Sequence, residues 1–196
     1  MFQVNINMEN KTKECGYLGI YVGPMYSGKT SKLLELYKQY TFCKISTAVI
    51  NYSEDTRYTD ESMLSTHDKV MVPCHLTTSL YEAFPINLEE MNKYEIYLIN
   101  EGQFYSDIVE WVKEVISPPY NKTVYICGLD GDFKRKVFEN NWLHLIAYSD
   151  TVEKLTAICT KCKNAKAIFS QRLTKEMEQK VIGSDCYTPL CRKCYI

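Results

Sequence analysis

No apolar run in the sequence approaches the roughly 20 residues that a bilayer-spanning helix needs, so no membrane partner is expected. The polar N-terminal stretch from Met1 to Glu14 lacks the apolar core of a secretory signal. It reads as a flexible arm over residues 1–15 on a cytoplasmic chain. A surplus of one charge sign is also missing. With 23 Lys and Arg against 24 Asp and Glu, the formal net charge is −1, which argues against a general polyanion surface and so against a nucleic-acid partner. Lys134-Arg135-Lys136 and the lysines from Lys161 to Lys166 cluster locally, but acidic residues elsewhere balance them. Internal repeats and low-complexity tracts are absent. A length of 196 residues suits one compact core with a small satellite.

Cysteine is plentiful instead, at nine residues. Without an export signal a disulfide framework is not expected. Cys15, Cys43, Cys74, Cys127 and Cys186 are scattered and read as small buried or incidental thiols. Cys159-x-x-Cys162 and Cys191-x-x-Cys194 form two pairs, the pattern of a four-thiolate zinc site rather than a redox dithiol. Four thiolates fill a tetrahedral shell and leave no position for water, so such a zinc is structural. The spacing between the pairs is wider than in the usual zinc ribbon.

The most specific segment is Gly23-Pro24-Met25-Tyr26-Ser27-Gly28-Lys29-Thr30, which fits G-x-x-x-x-G-K-[ST]. A β-prone run, Gly19 to Val22, precedes it, and Leu33, Leu34, Leu36, Tyr37 and Tyr40 follow at helical spacing. Strand, glycine-rich loop and helix together form a phosphate cradle: backbone N–H groups and the helix N-terminus face the phosphates. Lys29 would reach the outer phosphates and Thr30 would hold Mg²⁺.

Further strands are expected at Ser46–Asn51, Val70–Pro73, Tyr94–Ile99 and Thr123–Cys127, with helices at Ser79–Phe84 and Asp107–Ile116, the latter stopped by Pro118-Pro119. Residues 52–69 read as a long polar connection. Alternating strands and helices predict an α/β fold, a parallel sheet flanked by helices on both faces, over residues 16–156. A cysteine-bearing lobe follows over 157–196. Ligands of such sheets bind beyond the carboxyl ends of the strands, where the Gly23–Thr30 loop, Asn100-Glu101 and Gly128-Leu129-Asp130 all fall. At that place Glu101 is a candidate general base for an acceptor hydroxyl. Asn100 can offer a cation its carbonyl oxygen but no negative charge.

Several further motifs stand in order: Asp55-Thr56-Arg57-Tyr58, Thr66-His67-Asp68, Asn100-Glu101-Gly102-Gln103-Phe104, Gly128-Leu129-Asp130-Gly131-Asp132-Phe133, Lys154 to Cys159, and Cys191-Arg192-Lys193-Cys194-Tyr195. With the glycine-rich loop, the series resembles the type II thymidine kinases over nearly the whole chain. The resemblance implies ATP-dependent phosphorylation of the 5′-hydroxyl of thymidine. It implies that Gly23, Pro24, Met25, Tyr26, Ser27, Gly28, Lys29 and Thr30 bind ATP with Mg²⁺, with Asn100 and Gln103 beside them, and that Glu101 is the base. Asp55 and Arg57 would lie near the sugar or the transferred group, and Met25, Phe104, Leu129, Phe133 and Ser170 would line the thymine pocket. A zinc-tied lobe held by Cys159, Cys162, Cys191 and Cys194 would carry a lasso over the base, through Gln179, Lys180, Val181, Ile182 and Gly183, with Tyr187 alongside. The resemblance also implies a homotetramer.

The chain departs from that family at Asn100, where Asp is usual, at Asp132 and Val137, where Thr and Pro are usual, and in the length of the lasso. Ser170 stands where Thr is usual. Asn100 motivates an alternative, a catalytically weakened nucleotide-binding relative. A nucleic-acid ATPase is a further alternative, disfavoured by the near-neutral charge.

Overall fold

The computed structural model describes residues 15–53, 63–65, 71–180 and 186–195. Strand β1 (Tyr17–Val22) runs into the glycine-rich loop, and helix α1 (Lys29–Phe42) leaves it. Strands β2 (Thr47–Tyr52), β3 (Met63–Ser65), β4 (Met71–Pro73) and β5 (His75–Thr77) follow. Two one-turn helices, α2 (Leu80–Ala83) and α3 (Leu88–Met91), are capped by the side chains of Ser79 and Asn87. Next come β6 (Ile96–Ile99), a 3-10 turn at Gly102–Phe104, α4 (Ile108–Val115) and β7 (Thr123–Gly128). A 3-10 stretch, Trp142–Tyr148, leads to β8 (Thr151–Lys154). The C-terminal lobe holds two antiparallel ribbons, β9 (Ala157–Ile158) with β10 (Lys166–Ala167) and β11 (Phe169–Arg172) with β12 (Tyr187–Leu190).

Six strands form one sheet in the order β5-β2-β6-β7-β1-β8, with every pairing parallel. The expected strands and helices are present with ends shifted by a residue or two, and Val70 lies outside the described residues. Both edge strands escaped the sequence reading. All four residues of β8 are exposed, and its charged Glu153 and Lys154 hide any apolar pattern. β5 is three residues long, too short to show a period.

Alternation along the strands sorts the core into two layers. Leu18, Ile20, Ala48, Ile50, Tyr97, Ile99, Val124 and Ile126 face α4 and the Trp142–Tyr148 stretch. On α4, Ile108, Trp111, Val112 and Val115 are fully buried, the i, i+3, i+4, i+7 stripe of an amphipathic helix. Val49, Ile96, Leu98 and Cys127 face the opposite way, onto Leu33 and Leu34 of α1.

Trp142 closes the first layer beside the site. It is fully buried and its indole N–H donates to the Leu129 carbonyl at 3.2 Å. Its ring would lie 2.8 Å from a Cβ at position 128, so Gly128 is the residue that lets strand and indole meet. Trp142→Ala is expected to cost about 3–5 kcal/mol of stability, measured by chemical denaturation, because the cavity cannot collapse against a rigid sheet.

Candidate active site

The register of the sheet builds the site. Ile50, Ile99 and Ile126 are partners across β2, β6 and β7. One residue further along each strand stand Asn51, Asn100 and Cys127, a row of three adjacent positions at the carboxyl ends. Alternation turns all three toward the α1 face, where the first turn of that helix carries Thr30. The row bonds to itself. Asn100 Nδ2 donates to Asn51 Oδ1 at 2.8 Å, and the Cys127 thiol donates to Asn100 Oδ1 at 2.9 Å. Thr30 Oγ1 donates to the same Asn100 oxygen at 3.4 Å. Burial, with the Glu101 carboxylate nearby, pushes the Cys127 thiol up to about 12, against a smaller pull from Lys29 and from the Glu101 backbone N–H. The thiol therefore keeps its proton and acts as a donor.

The loop from Gly23 to Gly28 wraps over this row. Gly23 has no room for a side chain, since a Cβ there would lie 2.5 Å from the Leu155 carbonyl oxygen. Gly28 holds φ 84°, a left-handed conformation that favours glycine at the start of α1. Ser27 Oγ and Lys29 Nζ both donate to the Pro24 carbonyl, at 2.8 and 2.7 Å. Lys29 is 7% exposed, so its ammonium is held inside the loop.

Glu101 follows Asn100 with φ 56° and is 7% exposed. A non-glycine residue in that region is strained, and such strain is concentrated at functional positions. Gln103 fixes the carboxylate: its Nε2 donates to Glu101 Oε2 at 2.6 Å, while its Oε1 accepts from the Leu129 N–H at 2.9 Å. Gln103 thus ties the end of β6 to the end of β7.

The remaining expected residues gather on the side toward the C-terminal lobe. Met25 N–H donates to the buried Ser170 hydroxyl at 2.9 Å. Phe104 packs on Tyr52 with ring centroids 5.3 Å apart, and Lys180 Nζ donates to the Tyr52 hydroxyl at 2.6 Å. Phe133 lies 3.9 Å beneath the Arg172 guanidinium, which also donates to the Tyr187 hydroxyl at 2.5 Å. Gln179 Nε2 donates to Asp132 Oδ2 at 3.0 Å, so Asp132 links the Phe133 loop to the 173–180 segment. Its other oxygen accepts from the Lys134 and Lys136 N–H groups, both at 2.8 Å. The basic cluster is engaged in internal contacts: Arg135 stacks over Tyr195 at 5.0 Å, and Lys134 Nζ donates to the Met177 carbonyl at 3.2 Å. Asp55, Arg57, Val181, Ile182 and Gly183 lie outside the described residues.

Cys159, Cys162, Cys191 and Cys194 converge, their sulfurs all within 4.8 Å of one another. Cys162 and Cys191 sulfurs are 3.9 Å apart, close to the edge of a tetrahedron with zinc–sulfur bonds of about 2.3 Å. Backbone N–H groups, that of Cys162 first, pull the Cys159 thiol down to about 6. Burial pushes Cys194 up to about 12. Four convergent sulfurs supply the tetrahedral thiolate shell that zinc takes, so the cluster could hold structural zinc.

Asn51, Tyr52, Cys127 and Arg172 were not singled out from the sequence as site residues. Asn51 carried one usable signal, a polar residue closing an otherwise apolar buried strand. Cys127 carried none, because its role comes from the register.

A family model described as "Thymidine kinase" matches residues 16–195 of the chain. The thymidine kinase of Vaccinia virus (strain Western Reserve) is 40% identical over 182 residues, covering 92% of this chain and 97% of that protein. The Monkeypox virus thymidine kinase shows the same identity and coverage. "Thymidine kinase 1" of Dictyostelium discoideum is 36% identical over 193 residues, covering 94% of this chain and 79% of that protein.

Arg172 is the pin of the 173–180 segment, since its guanidinium donates to the carbonyls of Glu176, Glu178 and Gln179 at 3.0, 2.5 and 3.2 Å. Arg172→Met is expected to release that segment and to speed tryptic cleavage after Lys175 by about tenfold or more, read by mass spectrometry. Unchanged cleavage would show that other contacts hold it.

Proposed function

The chain belongs to the thymidine kinase family, and from that premise we propose that it transfers the γ-phosphoryl group of ATP to the 5′-hydroxyl of thymidine. The observation that carries the reading is the meeting of the Gly23–Thr30 loop, Asn100 and a buried, Gln103-held Glu101 at the carboxyl ends of β1 and β6. Phosphoryl transfer needs little covalent help from a protein. It needs a phosphate cradle, a cation and a base placed at the acceptor oxygen.

In this reading Gly23 to Thr30 bind the donor phosphates through loop N–H groups. Lys29 exchanges its bond to Pro24 for one to an outer phosphate oxygen. Mg²⁺ brought with ATP would supply positive charge to the transferred group. The Thr30 hydroxyl and the Asn100 carbonyl are hard oxygen donors and fit such a cation. Glu101 takes the proton of the 5′-hydroxyl, and Gln103 keeps the carboxylate oriented for it. Met25, Phe104, Leu129, Phe133, Ser170, Gln179, Lys180 and Tyr187 enclose the nucleoside. The roles of Val181, Ile182 and Gly183 in the lasso, and of Asp55 and Arg57 toward the sugar, rest on the family resemblance alone. The four cysteines hold structural zinc and so anchor residues 157–196, as a lobe, to the nucleotide-binding unit of residues 16–156. By likeness to the family, the protein works as a cytoplasmic homotetramer.

The test is thymidine phosphorylation with ATP across a Mg²⁺ series. Steady turnover is expected from the native chain, and Glu101→Gln should lower kcat by about 10²–10⁴ with thymidine binding retained. Absence of turnover in the native chain at every Mg²⁺ concentration would sink the reading in favour of a nucleotide-binding relative.

Zinc gives an independent check. About one equivalent per chain is expected by elemental analysis, and Cys191→Ser should lose it. Because thiolates bind and thiols do not, zinc release should set in as pH falls and protons compete for the four sulfurs.

A further inference from the structure

We infer that Asn51 and Cys127 are positioning residues that fix the Asn100 amide with its carbonyl oxygen, and not its NH₂ group, toward the Thr30 hydroxyl. The inference deepens the kinase reading and rests on it for the identity of the cation. A side-chain amide has two faces of opposite character, and only one suits a cation site. With the oxygen forward, the Thr30 hydroxyl, 3.4 Å away, can donate its proton to Asn100 Oδ1. Its lone pairs are then left to a cation. With the NH₂ forward, Asn100 would donate to Thr30 Oγ1 and turn the hydroxyl proton outward. Both groups would then present positive hydrogen to the place where Mg²⁺ belongs.

Two neighbours in the row decide between these states. Asn51 Oδ1 accepts from Asn100 Nδ2 at 2.8 Å, which holds the NH₂ group on the β2 side. Cys127 donates to Asn100 Oδ1 at 2.9 Å, which holds the carbonyl on the β7 side. Asn51, Asn100 and Cys127 are 4%, 2% and 0% exposed, so water does not compete for these bonds. A carboxylate at position 100 would need no such control, because it presents oxygen whichever way it turns.

That symmetry supplies the test. Mn²⁺ serves as the probe, and its affinity for the complex of the protein with ADP is read by electron paramagnetic resonance of free Mn²⁺. Cys127→Ala and Asn51→Leu are each expected to weaken Mn²⁺ binding about tenfold, the scale of losses when partners behind a metal ligand are removed. Metal-free ADP affinity should stay unchanged. Cys127→Ser, which keeps a donor, should restore native Mn²⁺ affinity. In an Asn100→Asp background, Cys127→Ala should cost nothing. Equal losses in both backgrounds, or no loss in the native one, would overturn the inference. Should either single variant fail to fold, the comparison of Cys127→Ser with the native chain, before and after Asn100→Asp, still decides: a loss on Cys127→Ser in either background refutes it. The readout is binding, so a failure of thymidine phosphorylation would tell against the kinase reading through a separate experiment.

Discussion

Everything at this site follows from a single constraint: polar groups stand in a buried row at the ends of parallel strands and must satisfy one another there. A buried polar group without a partner costs about 1–3 kcal/mol. Asn51, Asn100 and Cys127 meet that demand laterally, along a register that the apolar residues before them impose. Ile50, Ile99 and Ile126 lock the strands in step, and the next residues have no choice of neighbour. Thr30 and Glu101 are then set by what the row leaves available. The geometry of the row is a by-product of packing two hydrophobic layers against one sheet.

A second set of contacts joins the C-terminal lobe to the strand ends, and each connection is polar or aromatic. Met25 meets Ser170, Tyr52 meets Lys180, Phe133 meets Arg172, and Asp132 meets Gln179. Such contacts are individually weaker than the burial of an apolar face and are exchangeable with water or a ligand. In the proposed kinase, that suits a lobe which lets a nucleoside in and holds it.

Legibility in the sequence followed the range of the interaction. The glycine-rich loop, the amphipathic α4 and the paired cysteines depend on neighbours in sequence, and they were read directly. The inner strands were read because burial on both faces makes them uniformly apolar. The edge strands β5 and β8 were missed, since an edge strand is short or half solvated and need not be apolar. Cys127 reads from the sequence as a small buried or incidental thiol; it is buried, and it also donates to Asn100. Its role depends on which residue of β6 lies beside it, and no local pattern records a register between strands more than 20 residues apart. Asp132 was noted only as a departure from the usual Thr. It turns the Phe133 loop through the nearby Lys134 and Lys136 N–H groups, and it also grips Gln179, a partner 47 residues away that no local pattern records.

Asn100 shows how a departure from a family pattern can be accommodated without losing the architecture. A carboxylate at that position would stand next to Glu101, and neighbouring buried carboxylates oppose each other's ionisation. The amide removes that opposition, and with it the negative charge that would draw a cation. What remains is a dipole, and a dipole attracts a cation only when its oxygen end points the right way. A charge tolerates loose surroundings because it acts in all directions; a dipole does not. Replacing Asp by Asn therefore transfers the burden from position 100 to its two neighbours. Asn51 on one side and Cys127 on the other hold opposite ends of the same amide, which is the minimum needed to fix its direction.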